Sequence, residues 1–242
     1  MSAKSKVRLD QLLVDIGLAE SKSKAQALIM AGRIKLDGNV AAKAGLLVMP
    51  DGRVEVAEAP KYVSRGGDKL ASVADELRLE FAGKTVLDVG ASTGGFTDFA
   101  LQNGATKVIA VDVGTGQMDW RLRQDDRVEI HEQTDVRAFE SDQKVDIAMI
   151  DVSFISILKI IDTVAMCVKP NGQIVAMIKP QFEAGKPLAD KSAGVISDPK
   201  MRAEIIERVK LELGSKFDIV ASADSAVLGP KGNQEHFVVL VA

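Results

Sequence analysis

The sequence contains a single cysteine, Cys167, and no long uninterrupted hydrophobic run. A disulfide within the chain needs two cysteines, so a disulfide-stapled fold is excluded and we expect a reducing compartment. No stretch approaches the roughly 18 apolar residues that cross a bilayer, and residues 1–6 lack the apolar core of a secretion signal. We therefore expect a soluble, cytoplasmic protein that does not enter a membrane.

Histidine is also scarce, because His131 and His236 are the only two in the chain. They lack the spacing of zinc ligands, so metal-dependent hydrolysis is poorly supported and we predict no metal site. Each is more typical of a histidine at a strand end or at the edge of the core. Cys167 lies in the apolar stretch 160–168, so we predict that it packs in the core.

The charge is unevenly distributed, although the total is only −3. Residues 1–45 contain eight lysines and arginines and four acids, which gives +4 for this segment and leaves −7 for the rest of the chain. A basic segment on an acidic body indicates two parts with different tasks, such as nucleic-acid binding by the basic part. Charge alone does not distinguish this arrangement from an ordinary solvated surface.

The beginning of the chain has the pattern helix, turn, helix and small sheet. Apolar residues recur at helical spacing over 7–16, and Ser21 is typical of the residue that caps a second helix. Asp37-Gly38 predicts a tight turn between short strands. Pro60 marks a linker, so we predict one domain over 1–60 and a second over 61–242.

Strand and helix patterns alternate in the second domain. Strands are predicted at 84–89, 107–113, 128–131, 145–152, 173–178, 217–223 and 236–241, with helices at 95–103, 155–168 and 201–213. This alternation predicts an α/β, Rossmann-like fold with a mainly parallel sheet, in which ligands bind beyond the carboxyl ends of the strands. The polar stretch from Pro180 to Pro199 follows a strand end, where it is either a substrate lid or a surface insertion.

The segment from Val86 to Phe96 is the most informative part of the sequence. An apolar strand runs into the glycine-rich turn Gly90-Ala-Ser-Thr-Gly94-Gly95, which opens a helix. Glycines let the backbone turn tightly and approach a ligand closely, and the helix N-terminus offers free amide donors. The spacing differs from the Gly-x-Gly-x-x-Gly of dinucleotide sites, which disfavours NAD.

Acidic residues follow the next strands and suit a nucleoside. Asp112 lies about twenty residues beyond the glycines, where a carboxylate accepts both hydroxyl hydrogens of a ribose. Asp135 follows the third strand and is placed to meet an adenine edge. The alternative is a glycine turn that only packs helix on strand. The residues predicted to bind the cofactor are Asp88, Gly90, Ser92, Gly94, Gly95, Phe96, Asp112, Asp135 and Asp151.

The segment from Asp88 to Phe96 resembles motif I of the class I methyltransferases, and in particular that of the FtsJ-like ribose methyltransferases. Phe96 stands where that group commonly has Trp, so the apolar contact is kept and the indole donor is lost. The resemblance implies S-adenosylmethionine as cofactor. Four further residues resemble the Lys-Asp-Lys-Glu tetrad of the same family, namely Lys69, Asp151, Lys179 and Glu235.

The tetrad residues match what ribose methylation needs. Lys69 lies on a helix before the first strand, and the other three mark strand boundaries that can converge on one rim of the sheet. A ribose hydroxyl is a poor nucleophile that needs a base and an in-line methyl donor. Burial and a neighbouring cation disfavour a charged amine, so Lys69 beside Lys179 would favour a neutral base, which Asp151 and Glu235 oppose. We predict Lys179 as the base or hydroxyl activator and the others as positioning groups.

Competing methylation chemistries find less support. Methylation of base amino groups typically uses an Asn/Asp-Pro-Pro-Tyr/Phe turn, and the corresponding Asp151-Val-Ser-Phe154 contains no proline. Carbon methylation of cytosine needs a nucleophilic cysteine, whereas Cys167 has the sequence context of a core residue. Taken singly, a lysine at a strand end is more typical of a solvated surface, and an aspartate there more typical of a helix cap.

The N-terminal basic residues resemble those of the RNA-binding domain of ribosomal protein S4. The matching segments are Arg8-Leu-Asp10, Ser21 to Lys24 and Gly32 to Gly38. The resemblance implies contacts with RNA phosphates, which give affinity and position more than sequence choice. A small packing domain is the alternative. The residues predicted to bind RNA are Arg8, Lys22, Lys24, Arg33 and Lys35.

An S4-like domain followed by an FtsJ-like domain resembles the TlyA family over nearly the whole chain. Segments 62–69, 151–154 and 179–185 add to the match. The resemblance implies 2'-O-methylation of ribose, in cytidine, with ribosomal RNA or ribosomal subunits as partner and no required protein partner evident. Because the family often carries a hemolysin label, a membrane-lytic protein is an alternative, and a non-catalytic RNA-binding module is another.

Overall fold

The computed structural model of the protein describes residues 5–58, 60–185 and 194–242. The chain divides into two units, residues 1–60 and residues 61–242. Residues 186–193, within the stretch for which a substrate lid is predicted, lie outside the described residues.

The smaller unit packs two helices on short antiparallel strands. Its elements are α1 (Leu9–Asp15), α2 (Lys22–Met30), β1 (Val7–Arg8), β2 (Ile34–Leu36), β3 (Asn39–Val40), β4 (Leu47–Val48) and β5 (Val54–Val56). Strand β2 lies between β3 and β5, and β1 pairs with β4. The core of this unit includes Leu9, Leu13, Ile29 and Ile34, all of which are almost completely buried.

Local sequence signals determine most boundaries in this unit. The Ser21 hydroxyl accepts a hydrogen bond from Lys24 N at 3.2 Å and caps α2, as predicted. Asp37 and Gly38 have φ of 49° and 81°, which the tight turn between β2 and β3 requires. Helix α1 begins later than predicted, because Val7 and Arg8 are extended and pair with β4.

The larger unit has the predicted alternation of strands and helices. The strands are β6 (Thr85–Val89), β7 (Lys107–Val111), β8 (Val128–His131), β9 (Val145–Ile150), β10 (Val168–Ile178), β11 (Asp218–Asp224) and β12 (His236–Val241). The helices are α3 (Arg65–Ala71), α4 (Gly95–Gln102), α5 (Trp120–Arg123), α6 (Ile161–Cys167), α7 (Pro180–Glu183) and α8 (Pro199–Gly214), with 3-10 turns at Val136–Ala138 and Ile157–Lys159.

These strands form one sheet in the order β11-β12-β10-β9-β6-β7-β8. The five strands from β10 to β8 in this order are parallel, whereas β12 is antiparallel to both of its neighbours. The architecture is therefore the Rossmann-like, mainly parallel α/β fold expected from the sequence.

Both faces of the central strands are buried. Val86 and Val175 pack into one apolar cluster together with residues of α3 and α4, whereas Leu87 and Ile174 pack into another with residues of α6 and α8. Successive side chains of a strand point to opposite faces, so a sheet covered on both sides needs continuous apolar strands. This requirement explains why the central strands are so evident in the sequence.

The predicted helix over 155–168 is wrong in its extent. The structure has a 3-10 turn at Ile157–Lys159, and α6 covers only Ile161–Cys167. The Ser156 hydroxyl accepts from Leu158 N at 3.2 Å and caps the 3-10 turn, while Val168 pairs with Val145 of β9. A side-chain cap and a sheet pairing thus shorten the helix from both ends. Cys167 is buried, as predicted.

Two neighbouring glycines in α3 provide a matched test of packing against Tyr62. A methyl group on Gly67 would overlap the Tyr62 side chain, whereas one on Gly66 would meet ordinary contacts at 3.5 Å or more. We expect Gly67→Ala to cost roughly 1–3 kcal/mol through overpacking and to lower the Tm by several degrees. Gly66→Ala should leave the Tm unchanged or raise it slightly, because alanine favours the helix. Equal melting temperatures for the two variants would contradict the tight contact.

Candidate active site

The sheet topology brings three of the four predicted tetrad residues to one edge. Asp151 follows the last residue of β9 and Lys179 the last residue of β10, and parallel strands end at the same edge. Glu235 precedes β12, whose first residue, His236, pairs with Ile178 of antiparallel β10. Because the pairing is antiparallel, the start of β12 lies beside the end of β10, which puts Glu235 on the rim that carries Lys179.

The four tetrad side chains form two ion pairs. Lys69, on α3, lies with its Nζ 3.1 Å from Glu235 Oε1, and their side chains are 9% and 3% exposed. Lys179 Nζ lies 2.6 Å from Asp151 Oδ1, with side-chain exposures of 10% and 21%. Lys179 Nζ also donates to Ser153 Oγ at 3.0 Å. Such shielded charges are tolerated only when they are paired, so each lysine fixes the position of its carboxylate.

The two pairs also interact with each other. Burial raises the pKa of the Asp151 carboxyl above its ordinary value, the ammonium groups of Lys179 and Lys69 oppose that rise, and Glu235 adds to it. Asp151 thus links the two ion pairs, because both lysines and Glu235 act on its carboxyl.

Two adjoining cavities lie at this rim. The larger has a volume of about 490 Å³ and is lined by Asp112, Asp135 and Phe154, among others. The smaller, of about 170 Å³, is lined by both tetrad lysines. The walls of both include Gly90, Ser92, Asp151 and Ser153. The larger cavity has the size of a pocket for a cofactor-sized molecule, and the smaller joins it to the ion pairs.

The glycine turn, called the glycine cradle below, lines both cavities at Gly90. This residue has φ of +84°, and a Cβ atom there would lie 2.7 Å from the carbonyl oxygen of Asp151. The Asp112 carboxylate fixes the turn, because it accepts from Ser92 N at 2.8 Å and from Gly114 N at 2.7 Å. An ionised carboxylate has about four acceptor positions, so Asp112 retains capacity for ligand hydroxyls.

Two other glycines of the turn, Gly94 and Gly95, pack closely against neighbouring residues. Gly94 has φ of +92° at the N-cap of α4, and a methyl group there would overlap Leu122. It does not line either of the two cavities described above. Gly95 lines the smaller cavity and also lies against Ser64 and Gly67. Gly94 thus differs from the other predicted cofactor residues of the turn, which line at least one cavity.

Asp88 is completely buried below the turn and lines the smaller cavity. Its Oδ2 accepts from Thr97 Oγ1 at 2.7 Å, whereas its Oδ1 has no hydrogen-bond partner within the described chain. Burial raises the pKa of this carboxyl to about 7. Phe96, also in the wall, packs on Phe237 with ring centroids 6.1 Å apart. An unpartnered buried acceptor beside a glycine cradle fits a cofactor that carries a hydrogen-bond donor.

Asp135 lines the larger cavity, but its carboxylate already has partners. Its Oδ1 accepts from Arg137 N at 2.9 Å and caps the 3-10 turn Val136–Ala138. The Arg137 guanidinium lowers the pKa of the Asp135 carboxyl to about 2. Asp135 is therefore ionised near neutral pH and fixed at the cavity wall.

Ser153 is a site residue that the sequence reasoning missed. Its hydroxyl receives the hydrogen bond from Lys179 and lies in the wall of both cavities. The available signal was a hydroxyl three residues beyond a strand end, within the segment Asp151-Val-Ser-Phe154.

The five predicted RNA-binding residues of the smaller unit fall into two groups. Arg8 donates to the buried carboxylate of Asp10 at 3.0 and 2.7 Å and holds the pKa of that carboxyl well below its usual range. Arg33 donates twice to the carbonyl of Ala57, at 3.0 and 2.8 Å.

The three lysines are all exposed. Lys24 pairs with Glu20, whereas no ion pair involves Lys22 or Lys35 in the described part of the chain. The two arginines therefore have structural partners, whereas Lys22 and Lys35 form no ion pair among the residues that the structure describes.

Two further properties concern membranes and metals. No described helix combines the length with the apolar composition that crossing a bilayer requires. Within residues 5–58, 60–185 and 194–242, no group of three or more histidine, cysteine or acidic side chains is arranged to hold a metal ion.

Comparison with known families agrees with both units. Residues 62–242 match the FtsJ-like methyltransferase family, and residues 7–54 match the S4 domain. The 16S/23S rRNA (cytidine-2'-O)-methyltransferase TlyA of Mycobacterium tuberculosis is 38% identical over 243 residues, which cover 97% of this chain and 90% of the relative.

Solved structures show the same fold. A structure from Streptococcus thermophilus that bears a hemolysin label has a TM-score of 0.72 and 36% identity, over 99% of this chain and 89% of that one. The N-methyltransferase NodS of Bradyrhizobium japonicum WM9, in complex with S-adenosylhomocysteine, has a TM-score of 0.52 and 14% identity, over 73% and 85%, and this likeness shows the fold alone. The chain belongs to the FtsJ-like methyltransferase family, in the TlyA group that carries an S4 domain ahead of the methyltransferase domain.

Proposed function

We propose that this protein transfers the methyl group of S-adenosylmethionine to the 2'-hydroxyl of a ribose in ribosomal RNA, in a cytidine. The carrying observation is the pair of lysine–carboxylate ion pairs next to a cofactor-sized cavity that has a glycine cradle. The S4 domain and the name of the Mycobacterium tuberculosis relative support ribosomal RNA as substrate and cytidine as target.

The cofactor-binding residues have distinct tasks in this proposal. When bound, S-adenosylmethionine supplies an electrophilic methyl group on a sulfonium. Asp112 offers acceptor positions to ribose hydroxyls, and Asp135 faces the part of the larger cavity where we place the base. Asp88 offers its unpartnered oxygen to a cationic amino group from the wall of the smaller cavity.

Lys179 has the geometry of a group that receives the proton of the attacking hydroxyl. As the neutral amine, its Nζ accepts that proton and becomes the ammonium that lies 2.6 Å from Asp151. Asp151 therefore stabilises the charge that forms, and Ser153 fixes the amine from a second direction at 3.0 Å. The Lys69–Glu235 pair is nearly buried and positions the substrate hydroxyl.

The decisive experiment is methyl transfer from labelled cofactor to purified ribosomal subunits, followed by mapping of alkali-resistant linkages in the RNA. An alkali-resistant linkage at a cytidine supports the proposal, whereas a label on a base or on protein contradicts it. The lytic alternative requires that purified protein lyse cells without cofactor, and a non-catalytic RNA-binding module would bind subunits and transfer no label.

Removal of the Lys179 amine should separate chemistry from cofactor binding. We expect Lys179→Ala to reduce kcat by about 10²–10⁴-fold, the range of general acid–base catalysis, and to weaken the binding of S-adenosylhomocysteine by no more than about tenfold, as the loss of contacts to segment 151–157 allows. Single-turnover transfer and calorimetric titration measure the two quantities. The control is Lys200→Ala, which removes an exposed lysine from α8 and should be fully active. Full activity of Lys179→Ala with intact fold would rule out the proton-acceptor role.

The buried Asp88 carboxyl should make cofactor affinity depend on pH. Its pKa of about 7 means that the carboxylate forms as the pH rises from about 6 to about 8. A cationic ligand amino group favours the carboxylate, so S-adenosylhomocysteine should bind up to about tenfold more tightly across this window. The free energy of unfolding should instead fall as the pH rises. The stabilising contribution of the protonated Asp88 carboxyl is fully present below its unfolded pKa, and it is lost as the pH rises through about 7.

Asp88→Asn should abolish both pH dependences, because the amide oxygen still accepts from Thr97 and cannot ionise. Calorimetry and thermal denaturation at several pH values measure affinity and stability. The exposed residue Asp126 provides the control Asp126→Asn, which should keep the pH profile of the parent. A parent protein whose affinity does not change over the window would refute the assigned role of Asp88.

The basic residues of the smaller unit should separate into binding and structural groups. Lys22→Ala and Lys35→Ala should each reduce the slope of log K against log salt concentration for RNA binding by about 1, with unchanged Tm. Arg8→Ala should lower the Tm, because it removes two hydrogen bonds from the buried Asp10 carboxylate. Salt titrations of RNA binding and thermal denaturation measure the two effects, and a stable Arg8→Ala protein would contradict the structural role.

A further inference from the structure

Glu183 is a buried carboxylate that the tetrad chemistry does not use. It is the last residue of the short helix α7 and is 6% exposed. Its Oε2 accepts from Ser156 Oγ at 2.6 Å, and its Oε1 accepts from Ile157 N at 2.9 Å. Both oxygens therefore bind one short part of the chain, which lies 26 and 27 residues earlier in the sequence.

Glu183 and Lys179 hold the two ends of the same segment, residues 151–157. Lys179, four residues before Glu183, contacts Asp151 and Ser153 at the first end, whereas Glu183 binds Ser156 and Ile157 at the second. The four residues from Val152 to Ile155, which lie between the outermost contacts at Asp151 and Ile157, all line the larger cavity. The chain that follows β10 thus fixes a wall of the cavity at both ends.

The position of Glu183 is itself fixed from a third element. The Arg208 guanidinium, on α8, donates to the backbone carbonyl of Glu183. Burial raises the pKa of the Glu183 carboxyl, and the hydrogen bonds from Ser156 and Ile157 oppose that rise. A buried carboxylate is unfavourable until hydrogen bonds compensate it, so we expect Glu183 to hold its two donors, on Ser156 and Ile157, at their observed positions.

We propose that Glu183 is a positioning residue, which holds segment 151–157 in place and thereby sets both the affinity for the cofactor and the placement of Asp151 and Ser153 around the Lys179 amine. This inference rests on the proposed function for its kinetic consequence. Its binding consequence is independent of RNA, because the segment is part of the cavity wall.

The test compares Glu183→Ala with Glu183→Gln in the full-length protein. We expect Glu183→Ala to weaken S-adenosylhomocysteine binding by about tenfold and to lower kcat by at least the same factor, as the loss of two buried hydrogen bonds allows. Glu183→Gln should recover most of both losses, because its amide oxygen can accept from Ile157 N and its amide NH₂ can donate to Ser156 Oγ. Calorimetry gives the affinity, and methyl transfer to ribosomal subunits gives kcat and KM.

One control variant and one second test variant distinguish a positioning role of Glu183 from a general effect on the stability of the protein. Glu207→Gln alters an exposed glutamate of α8 that pairs with Lys210 and should change neither quantity. Ser156→Ala removes one of the two donors to Glu183 and should weaken binding in the same direction as Glu183→Ala, which gives a second test should Glu183→Ala fold poorly. If Glu183→Ala lowers the Tm yet leaves Kd, kcat and KM unchanged at a temperature where it is folded, the carboxylate is structural only and the proposal is overturned.

Failure of this inference and failure of the proposed function have different signatures. If the parent methylates ribosomal RNA but the Ser156 and Glu183 variants bind cofactor and turn over normally, only the positioning role is wrong. If the variants lose affinity for S-adenosylhomocysteine as expected but neither they nor the parent label any ribosomal subunit, the positioning role stands and the substrate assignment fails.

Discussion

The shielded pairing of two lysines with two carboxylates is the interaction on which the arrangement of the site depends. Each ammonium group lies within 3.1 Å of a carboxylate in surroundings that water hardly reaches. Because an unpaired charge there would be strongly unfavourable, each pair joins elements that are far apart in the sequence. The Lys69–Glu235 pair connects α3 to the start of β12, and the Lys179–Asp151 pair connects the ends of β10 and β9. The sheet brings the tetrad residues to one rim, and the ion pairs fix the positions of their side chains there.

Much of the architecture was predictable because burial leaves a periodic pattern. The strands over 128–131 and 236–241 are found where the sequence predicted them: apolar residues of β12 face both clusters, whereas Val128 and Ile130 of β8 alternate with polar residues and pack against one cluster. The convergence of Asp151 and Lys179 followed from the same pattern, because both directly follow parallel strands. Glu235 depended in addition on the antiparallel direction of β12.

What the sequence did not reveal was the identity of side-chain partners. The sequence pattern predicts that Lys69 and Lys179 lie in one region. Only the register of the strands and the side-chain conformations determine that each lysine contacts a carboxylate. In the same way, the packing of Gly94 near Leu122 and the ion pair of Arg8 with Asp10 could not be predicted from the sequence, and the ligand contacts predicted for both residues stay predictions. Partners distant in sequence leave no local signal, which is also why Ser153 and Glu183 were overlooked.

The close approach of Gly90 to the backbone of Asp151 has a consequence for protein engineering. On that side the cavity is bounded by main chain at 2.7 Å from any added Cβ, so no substitution there can create room. Space for a bulkier synthetic cofactor would have to come from trimming apolar side chains that line the cavity, such as Val136, Ile155 and Ile160. Substitutions of the lining side chains can therefore adapt the enzyme to unnatural alkyl donors, whereas the backbone contact at Gly90 leaves no such choice on that side of the cavity.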